Sequence, residues 1–171
     1  NADIVHMATY APLFAHVEGW QWRPDMIWFD NLKSVRSVSY YVQQLYAENK
    51  GTRVVPLTMN NKPVTGGEGQ KGLFASAVWD KDSQSYIVKV VNTSDEAQPL
   101  SLTFAGMKKK EVLSKGVCIK LQSTDPDKDN TLDNPQAIVP VQTEVSAMGN
   151  AFDTQIEPKT FAVYKFVKTT K

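Results

Sequence analysis

The residues best equipped for chemistry lie between positions 16 and 31, HVEGWQWRPDMIWFDN. Three of the four tryptophans fall here, Trp20, Trp22 and Trp28, with Glu18, Asp25, Asp30 and Asn31 among them. Flat indole faces cover the apolar faces of a sugar ring, while carboxylates and amides take its hydroxyls. The competing reading is a packed aromatic core, since aromatic rings carry much of the packing energy wherever they occur. Hydrolysis of a glycosidic bond needs two carboxylates, one an acid/base and the other a nucleophile or base. Glu18 and Asp25, with Asp30 beyond, are the acidic candidates, and nothing in their spacing pairs them. The residues alone describe a carbohydrate site without a visible catalytic engine.

Other motifs carry less. Asp125, Asp127 and Asp129 alternate as in a calcium loop, but Asn130 and Gln136 stand where an EF-hand needs its glycine and its bidentate glutamate. The stretch 125–136 therefore reads as a solvated Asx-turn loop. His6 and His16 have no metal-ligand spacing. Glu68, between glycines, is a lone carboxylate in an exposed loop, and a lone loop group is poorly held for catalysis. Asn92-Thr93-Ser94 matches a glycosylation sequon and is read as chance. No nucleophile elbow or phosphate loop is present, so no cofactor and no metal is expected.

The chemistry needs elements to position it. Apolar residues from Ile4 to Leu13 recur with helical spacing, Asp3 stands near the start, and Pro12 ends or kinks the pattern. Residues 14–19 read as a short strand closed by Gly19. Val38, Tyr41, Val42, Leu45 and Tyr46 form one apolar stripe, which predicts a helix over 39–48. Ser37 or Ser39 caps it, and Lys50-Gly51 closes it. After Gly51 the period changes to two. Strands are expected at 54–59, 73–79, 85–92, 100–104, 111–121, 138–145 and 160–168, separated by turn clusters such as Asp80-Lys81-Asp82. Strands without intervening helices predict an antiparallel β-sandwich. The chain divides into a lead, 1–51, and an all-β domain, 52–171.

Composition bounds the rest. Hydrophobic residues make up 42% and charged residues 22%, a globular balance. Nineteen Lys and Arg against 18 Asp and Glu give no electrostatic case for nucleic acid or a membrane surface. No apolar run reaches membrane-spanning length. Cys118, the single cysteine, sits in a strand pattern and reads as a buried, inert thiol. NADIVHMATY already has an amphipathic pattern, so Asn1 reads as a cut inside a longer protein.

Several of these stretches, in order, resemble the glycoside hydrolase family 51 α-L-arabinofuranosidases. NADIVHMATYAPLF resembles that family's Asn-x-Asp-x-Val-x-Met-Ala-x-Tyr-Ala-Pro-Leu-Phe segment. GWQWRPDMIWFDN resembles its Trp-x-Pro-Asp-x-Ile-x-Phe-Asp/Asn segment, and SYYVQQLYAENKGT the helix that follows. DPDKDNTLDNP, IVPV and EPKTFAVYKF resemble its later elements. The resemblance implies a jelly-roll-like β-sandwich preceded by a helix–strand–helix remnant of a (β/α)8 barrel. It also implies retaining chemistry on two glutamates of earlier barrel strands. No residue here matches either glutamate, so the chain has no catalytic residue of its own and is expected to be inactive alone.

By the same resemblance, the loop after residues 15–19 lies at the active-site end of the barrel. Trp20, Trp22 and Asp25 then line the arabinose pocket, with Asp25 hydrogen-bonding the sugar, and Trp28 is assigned to packing. The implied partners are an arabinose-containing polysaccharide or oligosaccharide, reached through the intact enzyme, and the missing catalytic barrel. A homo-oligomer is a further expectation, and a periplasmic or secreted setting is favoured over a cytoplasmic one. The alternative function is an independent carbohydrate-binding module. It needs exposed aromatics on the sandwich, which has only Trp79 among its tryptophans.

Overall fold

In the computed structural model, residues 4–64 and 71–170 are described, without the side chain of Ser114. Glu68 and Asp3 lie outside the described residues. Backbone contacts divide the chain into two compact units. One comprises Asn1–Glu48 and Asp125–Val139, the other Asn49–Thr124 and Pro140–Lys171.

The first unit holds a three-stranded sheet in the order β1-β2-β3: β1 (Phe14–His16), β2 (Ile27–Phe29) and β3 (Ser34–Arg36). β1 runs parallel to β2, and β2 antiparallel to β3. Alternation sends Ala15, Trp28 and Val35 to one face, where they pack together with Val17 and Leu132. Asp30 makes the β2–β3 turn, its Oδ1 accepting the backbone N–H of Leu32 at 2.7 Å and of Lys33 at 2.6 Å. Those two donors hold its carboxyl below the usual carboxylate range.

Helix α1 (Val38–Glu48) follows. Ser37 caps it, its Oγ accepting the N–H of Tyr40 at 3.3 Å. Of the expected stripe, Leu45 is buried, Val38, Tyr41 and Val42 are half-buried, and Tyr46 is 47% exposed.

The helix expected over residues 3–14 is not found in the described part, 4–13, so the helix–strand–helix lead is corrected to strands and one helix. Ile4, Val5 and Met7 are 73%, 57% and 83% exposed. A short amphipathic helix gains its stability from the surface it packs on, and without one its nucleation cost is unmet. The strand expected at 14–19 is shorter, ending at His16, and a turn closed by Gly19 N–H to His16 O at 3.1 Å follows.

The loop 125–136, expected to be solvated, is in part a brace of this unit. Asp125 and Asp127 do form an Asx turn. Asp129 Oδ1, however, accepts the N–H of Val38 at the start of α1, at 3.0 Å. Asn130 is buried; its amide donates to the carbonyls of Arg36 and Ile138, and its Oδ1 accepts the Ile138 N–H at 2.7 Å.

The second unit is mainly β. Its large sheet has the order β11-β10-β13-β8-β7-β4: β4 (Arg53–Val55), β7 (Leu73–Asp80), β8 (Ser85–Asn92), β10 (Glu111–Gln122), β11 (Val141–Ser146) and β13 (Thr160–Thr170). All five pairings are antiparallel. A two-stranded sheet of β9 (Gln98–Thr103) and β12 (Ala151–Ile156) packs on it. Between them lie Ala77, Val88, Val90, Cys118, Ala162, Tyr164 and Phe166 from one side, and Leu100, Phe152 and Ile156 from the other. Phe152 meets Tyr164 at 5.3 Å and Phe166 at 5.0 Å between ring centroids. This is the β-sandwich that the strand pattern predicts. Cys118 is buried in β10, and burial raises the pKa of its thiol.

The strand expected at 54–59 is broken into β4 and β5 (Thr58–Met59). β5 forms a hairpin with β6 (Lys62–Pro63) through Asn60 and Asn61, at φ 51° and 62°. Asparagine tolerates that left-handed conformation, which suits a tight hairpin turn. β2, β3, β6 and β12 have no counterpart among the expected strands.

Candidate functional site

The tryptophan loop, residues 17–26, connects β1 to β2 inside the first unit. Its ends are tied by backbone bonds. Val17 N–H reaches Phe29 O at 3.0 Å, Met26 N–H reaches Pro12 O at 3.3 Å, and Ile27 N–H reaches Leu13 O at 3.0 Å. Ser37 closes the other side, its N–H and Oγ both donating to Met26 O. Tyr10 Oη donates to Pro24 O at 3.1 Å. The backbone around Asp25 is thus fixed from both directions.

The expected site residues fall in different settings. Trp20 and Trp22 are 45% and 56% exposed. Asp25 is 1% exposed, and neither carboxylate oxygen has a hydrogen-bond partner. Buried acceptors are almost always satisfied, and each unmet one costs on the order of 1–3 kcal/mol. Two on one side chain mark a place where a donor is wanted. Trp28 is buried in the sheet core, as assigned, and meets Trp20 edge to face at 5.9 Å. Glu18 is exposed; its N–H donates to His16 Nδ1 at 3.2 Å.

Arg23 is the member of the loop that reading the sequence missed. Its guanidinium lies 4.8 Å from the ring centre of Trp20 and 5.0 Å from that of Trp28. The signal was an arginine within a run of three tryptophans, which a search for paired carboxylates passes over. Tyr10 and Ser37, which fix the loop backbone, had no such signal.

The second unit offers no comparable platform. Trp79 is half-buried, 4.6 Å from the Tyr86 ring, and Lys168 Nζ lies over it at 5.0 Å. Asn92, in the sequon, is fully buried. Its amide donates to the carbonyls of Glu96, Ile156 and Glu157, and its Oδ1 accepts from Ser94. Among the described residues, no three His, Cys, Asp or Glu side chains converge, and no helix is long and apolar enough to cross a membrane.

Fold and motifs agree with comparison to known proteins. The family model described as the α-L-arabinofuranosidase C-terminal domain matches residues 1–159, and the chain belongs to that family. An extracellular exo-α-L-arabinofuranosidase of Streptomyces chartreusis is 41% identical over 106 residues, 62% of this chain and 13% of that protein. A probable α-L-arabinofuranosidase A of Aspergillus terreus is 30% identical over 95% of this chain and 24% of its own length. The arabinose-bound MgGH51 α-L-arabinofuranosidase superposes over the whole chain with a TM-score of 0.84 and 30% identity, covering 25% of that structure. The chain thus spans a quarter or less of each of these three proteins.

Proposed function

We propose that the chain is the supporting, non-catalytic end of an α-L-arabinofuranosidase that removes terminal α-L-arabinofuranosyl residues from arabinan or arabinoxylan with retention. The two catalytic glutamates belong to parts of the enzyme outside this chain. The lead, 1–51, contributes the last strand and helix of the (β/α)8 barrel. The sandwich, 52–171, is the jelly-roll-like C-terminal domain of that enzyme. The names of the relatives support the activity, and the extracellular Streptomyces relative supports a secreted setting.

Within this reading Trp20, Trp22 and Asp25 are the substrate-binding contribution of the chain. The observation that carries it is the pairing of two partly exposed tryptophans with a buried carboxylate whose oxygens lack donors, on one loop whose ends are tied by backbone bonds. The indoles cover the sugar ring, and a sugar hydroxyl donates to Asp25. Because Asp25 is 1% exposed, side chains over it must move aside to admit the sugar.

The test is hydrolysis of an aryl α-L-arabinofuranoside by this chain, side by side with a form extended through the whole barrel. Activity is expected only in the long form, since neither a proton donor nor a nucleophile remains without the barrel. Turnover by the short chain would put the chemistry on its own carboxylates, Glu18 and Asp25, and overturn the proposal.

A further inference from the structure

We infer that Arg23 forms an anion subsite on the tryptophan loop, taking the carboxylate of an acidic sugar, a hexuronate, that neighbours the arabinosyl group in the polymer. This rests on the reading of the loop as the substrate-binding surface and names the class of substrate it selects.

Three observations carry it. First, the guanidinium is pre-positioned by two indoles at once, at 4.8 and 5.0 Å, which are themselves locked edge to face at 86°. An arginine held against aromatic rings has already given up much of its rotamer freedom, so little more is lost when it meets a ligand. Second, among the described residues no ion pair joins Arg23 to a carboxylate, and the pairs Lys159 with Asp95 and Lys168 with Glu111 involve other cations. Asp30 is occupied by the N–H groups of its own turn, and the Asp25 oxygens accept nothing, although only Pro24 separates that residue from Arg23. Third, Arg23 is itself exposed, and Trp20 and Trp22 of the same loop are exposed in part.

The chemistry selects the ligand. The cation sits over the rings by its central carbon, while the five N–H donors of the planar guanidinium present a fork that matches a carboxylate. The indoles alongside want an apolar ring face. Phosphate or sulfate offers the charge but no ring face, and a neutral sugar offers the face but no charge. A hexuronate ring offers both.

The test is a titration of the 171-residue chain, followed by tryptophan fluorescence. The probes are a hexuronate-bearing pentose oligosaccharide and the same compound with its carboxyl reduced to the alcohol. The acidic probe is expected to bind about tenfold more tightly, as a charge-assisted fork outdoes a neutral contact. That gap should narrow as salt is raised. Arg23→Gln should close the gap, and Arg23→Lys, which keeps the charge without the planar fork, should restore only part of it. Circular dichroism matching the parent chain certifies that each variant is folded. Equal affinity for the two probes, no binding of either, or a gap that survives Arg23→Gln would overturn the inference. The titration does not depend on hydrolysis. If the gap is present while the long form fails to cleave an arabinofuranoside, the proposed activity falls and the anion subsite stands.

Discussion

Asp25 and Asn92 are both fully buried polar residues, and they have opposite hydrogen-bond balances. Every polar atom of the Asn92 side chain has partners, and it ties β8 to the end of β12 and to the turn that follows Thr93. Replacing it with alanine leaves buried carbonyls without donors. Asn92→Ala should destabilise the fold by roughly 2–4 kcal/mol, read from the denaturant midpoint. A loss within about 0.5 kcal/mol, the range of an ordinary surface change, would refute this. The same burial puts the amide out of reach of any enzyme acting on the folded chain, so the sequon is structural.

Asp25 has nothing to lose of this kind. Asp25→Leu, close in volume, should raise the stability of the chain by about 1–2 kcal/mol, since it removes buried acceptors that no donor meets. In the long, active form the same change should raise KM at least about tenfold if a sugar hydroxyl donates to that carboxylate. A variant that lost stability in the short chain would show that Asp25 already has a structural partner. The sequence drew attention to Asp25 through its tryptophan neighbours. Its burial was not legible there, because it is set by bonds from Pro12, Leu13 and Ser37 to the residues beside it.

At the scale of elements, β7, β8, β9, β10, β11 and β13 were legible in the sequence to within a few residues at their ends. β12 was missed because Ala151–Ile156 carries only two large apolar residues, Phe152 and Ile156, with polar residues between them. β3 is three residues long, too short to show a period. The lead was misread for a different reason. Its helical spacing is real, but no partner surface turns that pattern into a helix.

β10 carries the main irregularity. Its pairing with β13 shifts register between Leu113 and Gly116. A Cβ at Gly116 would sit 2.6 Å from the Lys165 carbonyl oxygen and 2.6 Å from the Phe166 ring. Gly116→Ala should therefore cost roughly 1–3 kcal/mol, measured by thermal unfolding, because the neighbour is backbone and cannot move aside cheaply. Helix α1 depends on a residue far away in sequence. Asp129→Ala removes the acceptor at Val38 and should fray the first turn at a cost of about 1 kcal/mol, visible as a lower melting temperature. An unchanged melting point would mean that Ser37 alone secures the helix start.

At the scale of the whole molecule, the described lead leaves apolar side chains in water. Leu13 and Phe14 are 49% and 59% exposed, in addition to Ile4, Val5 and Met7. Apolar side chains left in water favour association where they gather into a patch. In sedimentation velocity the chain should show concentration-dependent self-association, and Ile4→Ser with Met7→Ser should weaken it. A single monomeric species across the whole concentration range would count against this reading.

The segment Asp125–Val139 returns from the second unit to the first, where Asp129 and Asn130 hold the start of α1. A gene cut after residue 48 does not separate two modules. It leaves the donor sandwich carrying a clip for someone else's helix, and the recipient lead without its own. A sandwich taken from a relative would hold the start of α1 only where its incoming segment still offers an acceptor to Val38 and a donor to Arg36.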